Sequence, residues 1–174
     1  DPSPLAGEMV FTEVLARSAG SGIGHNEEWI ELRNLTDHTV SLEGCLLLNE
    51  DDGGVNEHSI EPVFGLSVAA SDYVVMVRSS AEDSIACGLP QDYAYGNNIS
   101  FNNSSPEQLS LLCGPEGAQV LVDGISFDGG AENFEPGLPR QLRIESEGPV
   151  LNDDAANWCV GGAPENFPWS CSVG

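Results

Sequence analysis

The stretch Glu28-Trp29-Ile30-Glu31-Leu32-Arg33-Asn34 decides the fold class, because apolar and polar side chains alternate along it. Ile30 and Leu32 fall on one side, while Glu31 and Arg33 share the other side with Trp29. Alternation with a period of two indicates a β-strand that is buried on one face. A second apolar run, Gly44-Cys45-Leu46-Leu47-Leu48, follows ten residues on, so two adjacent strands joined by a polar turn are expected.

The rest of the chain repeats this pattern in short segments separated by clusters of Gly, Asn, Asp, Ser and Pro. No window sustains a helical period, and the best helical candidate, residues 79–86, is short. About eight short strands with such spacing predict an all-β, antiparallel sandwich or barrel. The further strands are expected at residues 8–15, 73–78, 108–113, 119–123 and 141–144. The alternating apolar residues predict the core: Ile30, Leu32, Val40, Leu42, Leu47, Val75, Leu109, Leu111, Val120 and Val122.

The charge of the chain is extreme for its 174 residues: 28 Asp and Glu stand against five arginines and no lysine, for a net charge of −23. Such a surface repels phosphate backbones and anionic lipid headgroups. Nucleic-acid binding is therefore disfavoured, and no apolar run approaches the roughly 20 residues of a membrane span. An acidic surface without lysine suits either a salty environment, where charges are screened, or simple solubility.

The order of the strand motifs resembles that of the lamin-tail domain, an immunoglobulin-like β-sandwich found in nuclear lamins and in many exported bacterial proteins. The resemblance runs from about residue 8 to residue 160, and its most specific part is Trp29-Ile30-Glu31-Leu32-Arg33-Asn34, preceded by Phe11-Thr12-Glu13-Val14-Leu15. It departs from the family at Cys45 and in its charge, which disfavours chromatin contacts. The resemblance implies an immunoglobulin-like sandwich with a binding or scaffolding role and no catalytic residues. The expected division is an N-terminal extension at residues 1–7, the sandwich at 8–151, and an ordered, loop-like tail at 152–174 packed on it.

The residues of the signature strand and its neighbour have two interpretations. The carboxylates of Glu13, Glu28 and Glu31 could bind a cation, or Glu31 could pair with an arginine. Alternatively, Glu31 and Asn34 hydrogen-bond the backbone at the end of a strand, because half-buried polar groups need partners. We favour the second interpretation for this motif, which also includes Trp29.

An acidic turn, Asn49-Glu50-Asp51-Asp52-Gly53-Gly54, is the candidate metal site. Calcium takes six to eight oxygen ligands, and a flexible acidic loop can supply several. Asn49, Glu50, Asp51 and Asp52 are therefore candidate calcium ligands, and calcium is the one candidate cofactor. The spacing does not match a helix-loop-helix calcium motif, and a solvated hairpin tip is the simpler interpretation. The three histidines are scattered, and no catalytic serine or cysteine motif is present.

The five cysteines favour an oxidising compartment. Cys159 and Cys171 enclose a short aromatic loop, so we expect them to form a disulfide. Cys87 with Cys113 is a second candidate pair, which leaves Cys45 as a buried free thiol.

The sequence therefore predicts a non-catalytic binding or scaffolding module of an exported or surface-displayed microbial protein. Its partner is expected to be a protein or a carbohydrate, without nucleic-acid contacts or direct membrane insertion. The expected location is extracellular, periplasmic or at the cell surface. The alternative is a metal-dependent hydrolase, or an accessory domain of an exported enzyme.

Overall fold

The structure is a computed structural model that describes residues 1–17, 28–62, 65–78, 91–102, 105–128 and 136–160. The described part of the chain is mostly β and contains no α-helix. Its strands, in chain order, are β1 Met9–Leu15, β2 Trp29–Asn34, β3 Val40–Ser41, β4 Leu46–Asp51, β5 Gly54–Ser59, β6 Ser67–Val68, β7 Tyr73–Val77, β8 Tyr93–Ala94, β9 Pro106–Cys113, β10 Val120–Asp128, β11 Arg140–Leu142 and β12 Trp158–Val160. Short 3-10 turns lie at Gly96–Asn98, Ile144–Ser146 and Ala155–Asn157. No helix in these ranges is long and apolar enough to cross a membrane.

The strands form three sheets. The six-stranded sheet has the order β12-β11-β1-β2-β7-β8, and the four-stranded sheet has the order β10-β9-β4-β5. Strands β3 and β6 form a separate pair. All neighbouring strands are antiparallel except β7 and β8, which are parallel. The expectation of antiparallel β-structure without helices is therefore confirmed for the described residues.

One hydrophobic cluster joins both larger sheets, with residues such as Phe11 and Met76 from the six-stranded sheet and Leu47 and Leu111 from the four-stranded sheet. In β2 the predicted alternation is present: every second residue is buried, and the residues between are half-buried. Alternation follows from the pleat, because successive side chains of a strand point to opposite faces. The outward residues of β2 therefore belong to a surface, and the candidate site lies there.

A buried carboxyl group connects the two larger sheets. Asp123 of β10 accepts hydrogen bonds from the backbone N–H of Phe11 in β1, at 2.8 Å, and from the side-chain amide of Asn152, at 2.6 Å. Burial raises the pKa of Asp123 to about 7, although these hydrogen bonds favour the charged form. The carboxyl group is therefore a structural link whose protonation depends on pH near neutrality.

Eight of the ten predicted core residues belong to the hydrophobic cluster, and Val75 is buried outside it, opposite Glu31. Val120, at the first position of β10, is 46% exposed. The register of β10 against β9 shifts between Leu121 and Asp123. Because of this shift, Val120 does not continue the alternation by which the later residues of β10 point into the core. The prediction of Val120 as a core residue was therefore wrong.

Strands β5 and β12 fall where turns or irregular chain were expected. Residues 49–51 belong to β4, and the chain turns only at Asp52 and Gly53 before β5 returns along β4. In the expected loop-like tail, Trp158–Val160 forms β12 at the edge of the six-stranded sheet. Among the strands of the described ranges, β5 and β12 each pair with a single neighbour, and β5 is largely exposed. Their backbones are held by pairing, which requires no apolar alternation in the sequence.

The disulfide in the described structure joins Cys45 to Cys113. Leu46 of β4 is directly opposite Leu112 of β9, so the antiparallel register places Cys45 opposite Cys113, with their Cα atoms 4.3 Å apart. The predicted pairing of Cys87 with Cys113 was therefore wrong, as was the assignment of Cys45 as a free thiol. Cys159 has no disulfide partner within the described residues. Cys87 and Cys171 lie outside them, and the Cys159–Cys171 bridge stays a prediction.

Candidate functional site

Two glutamates face each other on the outer surface of the six-stranded sheet. Glu13 of β1 is the register partner of Glu31 of β2. The register of this strand pair shifts between Phe11 and Glu13, so Thr12 is an extra residue in β1. A bulge of this kind changes the direction of nearby side chains. Here the Thr12 hydroxyl donates a hydrogen bond to Glu31 Oε1 at 2.8 Å.

The two carboxyl groups line a cleft of about 480 Å³, which we call the outer cleft. Its floor comes from β1, β2 and β11, and its walls come from the start of β7 and from the segment after the 3-10 turn at Ile144–Ser146. The residues that line it are Thr12, Glu13, Glu31, Tyr73, Gln141, Leu142 and Glu147.

The arginine nearest to the outer cleft is already engaged. Arg33 Nη1 forms an ion pair with Glu147 Oε2, and its guanidinium carbon lies 5.2 Å from the centre of the Tyr73 ring. This distance is within the range of a cation–π contact. The Tyr73 hydroxyl donates to the other oxygen of Glu147 at 3.2 Å. Glu31 therefore does not pair with an arginine, and the Glu13–Glu31 pair has no counter-charge among the described residues.

Both carboxyl groups hold a proton more tightly than a free glutamate. Burial, and to a smaller extent the charge of Glu31, raise the pKa of Glu13 to about 8. Burial also raises the pKa of Glu31, while the hydrogen bond from Thr12 lowers it. Like charges directly opposite each other on neighbouring strands are destabilising. The Glu13–Glu31 pair is therefore expected to keep a proton at neutral pH.

The other residues of the signature motif are structural. Asn34 is fully buried, and its amide donates to the backbone carbonyls of His38, Val68 and Ala69. Its Oδ1 accepts from the backbone N–H and the hydroxyl of Thr36. These hydrogen bonds fix the turn after β2 to the neighbouring segment. Trp29 is a half-buried outward residue of β2.

Glu28 is also used inside the protein rather than in the outer cleft. Its Oε1 lies 2.9 Å from Arg78 Nη1, and its Oε2 accepts from the backbone N–H of Phe101 at 3.2 Å. Burial raises the pKa of Glu28 to about 7, and the charge of Arg78 opposes that shift. The three carboxylates that the sequence grouped as one cation site are thus divided, with Glu13 and Glu31 together and Glu28 elsewhere.

The predicted calcium ligands do not converge. Asn49 is fully buried, and its amide donates to Ser100 O and to Glu107 Oε2, both at 3.0 Å. Glu50 is exposed, and Asp51 Oδ1 accepts from the backbone N–H of Gly53 at 2.7 Å, which closes the turn at Asp52. Within the described ranges, no three Asp, Glu, His or Cys side chains are grouped so that they could hold a metal ion. The geometry thus gives the calcium prediction no support.

The histidines are divided in a similar way. His25 lies outside the described residues, and His38 is exposed beside Asp37. His58 contacts the Tyr93 hydroxyl at 2.8 Å through Nε2, and its Nδ1 lies 3.1 Å from the amide nitrogen of Asn98. Burial lowers the pKa of His58. An imidazole held on both sides by uncharged groups positions the chain rather than a ligand.

The sequence indicated the carboxylates of the outer cleft but not the rest of its lining. Glu13 and Glu31 were recognisable because both belong to strongly patterned neighbouring strands. Thr12 faces the cleft because of the bulge, and Glu147 comes from an irregular segment. Gln141 was within a predicted strand, and its place opposite Glu13 depends on which strand pairs with β1. The one sequence signal for the cleft was therefore the pair of outward glutamates.

No protein-family model matches the chain, and no curated protein matches it.

Proposed function

We propose that the chain is a non-catalytic binding module whose outer cleft receives a positively charged group, a lysine or arginine side chain of a protein partner. The observation that carries this proposal is the Glu13–Glu31 pair, which lies in a cleft without a counter-charge from the described chain. A cationic side chain entering the cleft would neutralise the repulsion between the two carboxylates. Thr12, Tyr73 and Gln141 supply polar groups around it.

The ion pairs that two arginines form elsewhere support a cation that comes from a partner molecule. Arg33 is engaged by Glu147 and Tyr73, and Arg78 is paired with Glu28. Because the cleft is partly buried, water and salt screen an ion pair between the entering cation and the carboxylates less than they would in bulk solvent. A bound cation would favour the ionised form of Glu13, so binding would release a proton.

We further propose that the two larger sheets form an immunoglobulin-like sandwich of the lamin-tail type, in a protein exported to an oxidising compartment. Support for the sandwich comes from the antiparallel order of the sheets and their shared core. Support for export comes from the buried Cys45–Cys113 disulfide, since such bonds persist mainly outside the reducing cytosol.

The test is a titration of isotope-labelled protein with a blocked Gly-Lys-Gly tripeptide and its arginine counterpart, followed by NMR. We expect chemical-shift changes at Glu13, Glu31 and Gln141. The double variant Glu13→Gln/Glu31→Gln should lose them. The matched control is Glu57→Gln/Glu61→Gln, which removes the same charge from exposed positions and should bind like the parent protein.

Three results would contradict the proposal. Equal loss of binding in both double variants would show that only net charge attracts the peptide. Shifts spread over the whole acidic surface would have the same meaning. Saturable shifts at the cleft with a neutral oligosaccharide, and none with the peptides, would identify a carbohydrate site instead.

The alternative function, a metal-dependent hydrolase or an accessory domain of an exported enzyme, receives no specific support. The hydrolase would require a metal site, and the described residues contain no suitable group of ligands.

A further inference from the structure

Two buried oxygens at one end of the four-stranded sheet have no hydrogen-bond partner in the described structure, and their side chains contact each other. They are Oδ1 of Asn49, in β4, and Oε1 of Glu107, in β9. Asn49 is 0% exposed and Glu107 is 3% exposed. The Asn49 amide donates to the other carboxyl oxygen, Glu107 Oε2, at 3.0 Å. The Asn49 amide thus supplies one hydrogen bond between the two side chains, and neither Asn49 Oδ1 nor an ionised Glu107 Oε1 carries a hydrogen that could supply a second.

An ionised Glu107 cannot complete this contact, because a carboxylate only accepts hydrogen bonds. Two buried acceptor oxygens would then be left without donors, an arrangement that folded proteins avoid. A proton on Glu107 Oε1 removes both defects, since it can donate to Asn49 Oδ1. The two side chains then form a cyclic acid–amide pair with one hydrogen bond in each direction.

The pair also holds a neighbouring stretch of chain, residues 99–102, which we call the latch segment. The Asn49 amide donates to Ser100 O at 3.0 Å, and the backbone of Asn102 hydrogen-bonds the Glu107 carboxyl group. Between these two attachments, Phe101 is 5% exposed and meets Phe127 of β10 edge to face, with ring centres 5.8 Å apart. The latch segment therefore covers the apolar core at this end of the sheet.

We propose that Glu107 is protonated in the folded protein, that its cyclic pair with Asn49 fastens the latch segment, and that loss of this proton releases the segment. Once ionised, Glu107 is a buried charge that requires hydration. Moving the latch segment outward admits water to the carboxylate and exposes Phe101. The latch segment is therefore closed at low pH and open at high pH.

The charges around Glu107 favour this direction. The pKa of Glu107 is raised to about 8: burial is the largest cause, the charges of Asp51 and Glu28 act in the same direction, and the hydrogen bonds from Asn49 and Asn102 oppose it. Asp128 of β10 lines the same end of the sheet. Arg78 is paired with Glu28 at 2.9 Å. Glu28 also holds the Phe101 N–H, a bond that the charged form of Glu28 strengthens, so opening begins at the Asn49–Glu107 contact.

Hydrogen exchange of the latch segment between pH 6 and 9.5 tests the proposal, after correction for the pH dependence of chemical exchange. A single-proton linkage changes an equilibrium by about tenfold per pH unit. We therefore expect the protection of the amides of residues 100–102 to fall by up to about tenfold per unit above pH 8. In Glu107→Gln the added amide donates to Asn49 Oδ1 at every pH, so its protection should stay constant. Glu57→Gln, on the exposed strand β5, is the matched control and should behave like the parent.

The parent protein supplies a second measurement that does not require a folded variant. The ¹³C shift of the Glu107 carboxyl group should report a pKa above 7. A Glu107 carboxyl that titrates near 4.5 would overturn the proposal. Protection that is independent of pH in the parent, or that falls equally in Glu107→Gln, would also overturn it.

Discussion

The Cys45–Cys113 disulfide should be a major source of stability, because it closes a long loop. The two cysteines are separated by 68 residues. In the chain-entropy treatment of cross-links, a closed loop of that length lowers the entropy of the unfolded chain enough to stabilise the fold by about 4.4 kcal/mol at 25 °C. For a domain of 150–250 residues, such a loss corresponds to a decrease in Tm of about 9 to 18 °C. Both cysteines are fully buried, so the bond should also resist mild reductants in the folded state.

The double variant Cys45→Ala/Cys113→Ala tests this magnitude by urea and thermal unfolding, with and without reductant. We expect the variant to unfold more readily than the oxidised parent by about 4 kcal/mol. Reductant would break any other disulfide in both proteins alike. The difference in free energy of unfolding between parent and variant therefore reports the contribution of the Cys45–Cys113 disulfide. Peptide mapping without reduction should find these two cysteines linked. A loss below about 1 kcal/mol would refute the loop-entropy reasoning, and a Cys87–Cys113 peptide would refute the pairing itself.

Three further predictions concern buried polar groups and the outer cleft. Asn34→Ala should cost about 3 kcal/mol in urea unfolding, because several buried partners lose their bonds; the exposed control Asn56→Ala should cost far less, and equal losses would contradict the structural role. The free energy of unfolding should fall as pH rises from 5 to 9, even in high salt that screens surface repulsion. The folded protein keeps protons on carboxyl groups that lose them near their ordinary pKa in the unfolded chain. The stability that these protons contribute is therefore complete below the ordinary pKa and is lost as pH rises through the raised pKa values. The groups responsible include Glu13, Glu28, Glu107 and Asp123, whose pKa values are raised to about 7 to 8. A free energy of unfolding that rises over this pH range would contradict the prediction. Binding of the lysine tripeptide to the outer cleft should tighten from pH 6 to pH 9 as Glu13 gives up its proton, and calorimetry in buffers of different ionisation enthalpy should detect that release; affinity that is independent of pH would show that no proton is exchanged.

Strands with an apolar side were the part of the fold most accessible from sequence. In β2, β7 and β9 the alternation or density of apolar residues reflects burial against the core, so the pattern follows directly from the environment. β5 was missed, because Gly54-Val55-Asn56-Glu57-His58-Ser59 is largely exposed and is held by backbone pairing with β4. Val120 was misassigned, because a change of register within β10 cannot be read from alternating residue types.

The candidate site was predictable only in part, for a related reason. The outward position of Glu31 follows from the pattern of β2, whereas that of Glu13 also depends on the bulge at Thr12. The separation of Glu28 from that pair depends on Arg78 and Phe101, which are distant in sequence. The Asn49–Glu107 pair has no local signature, since the two residues are 58 positions apart and meet through the pairing of β4 with β9.

The sequence by itself determined the strand-rich character, the buried faces of the main strands and the acidic surface, because each depends on residue type and local periodicity. The tertiary structure decided which strands are neighbours and in which register. That choice placed Cys45 opposite Cys113, Glu13 opposite Glu31, and the Asn49 amide against the Glu107 carboxyl group. A strand's alternation specifies the face that turns inward, but many partners can satisfy the same alternation. The partner is selected by the packing of the whole core, and the chemistry of both carboxyl pairs follows from that selection.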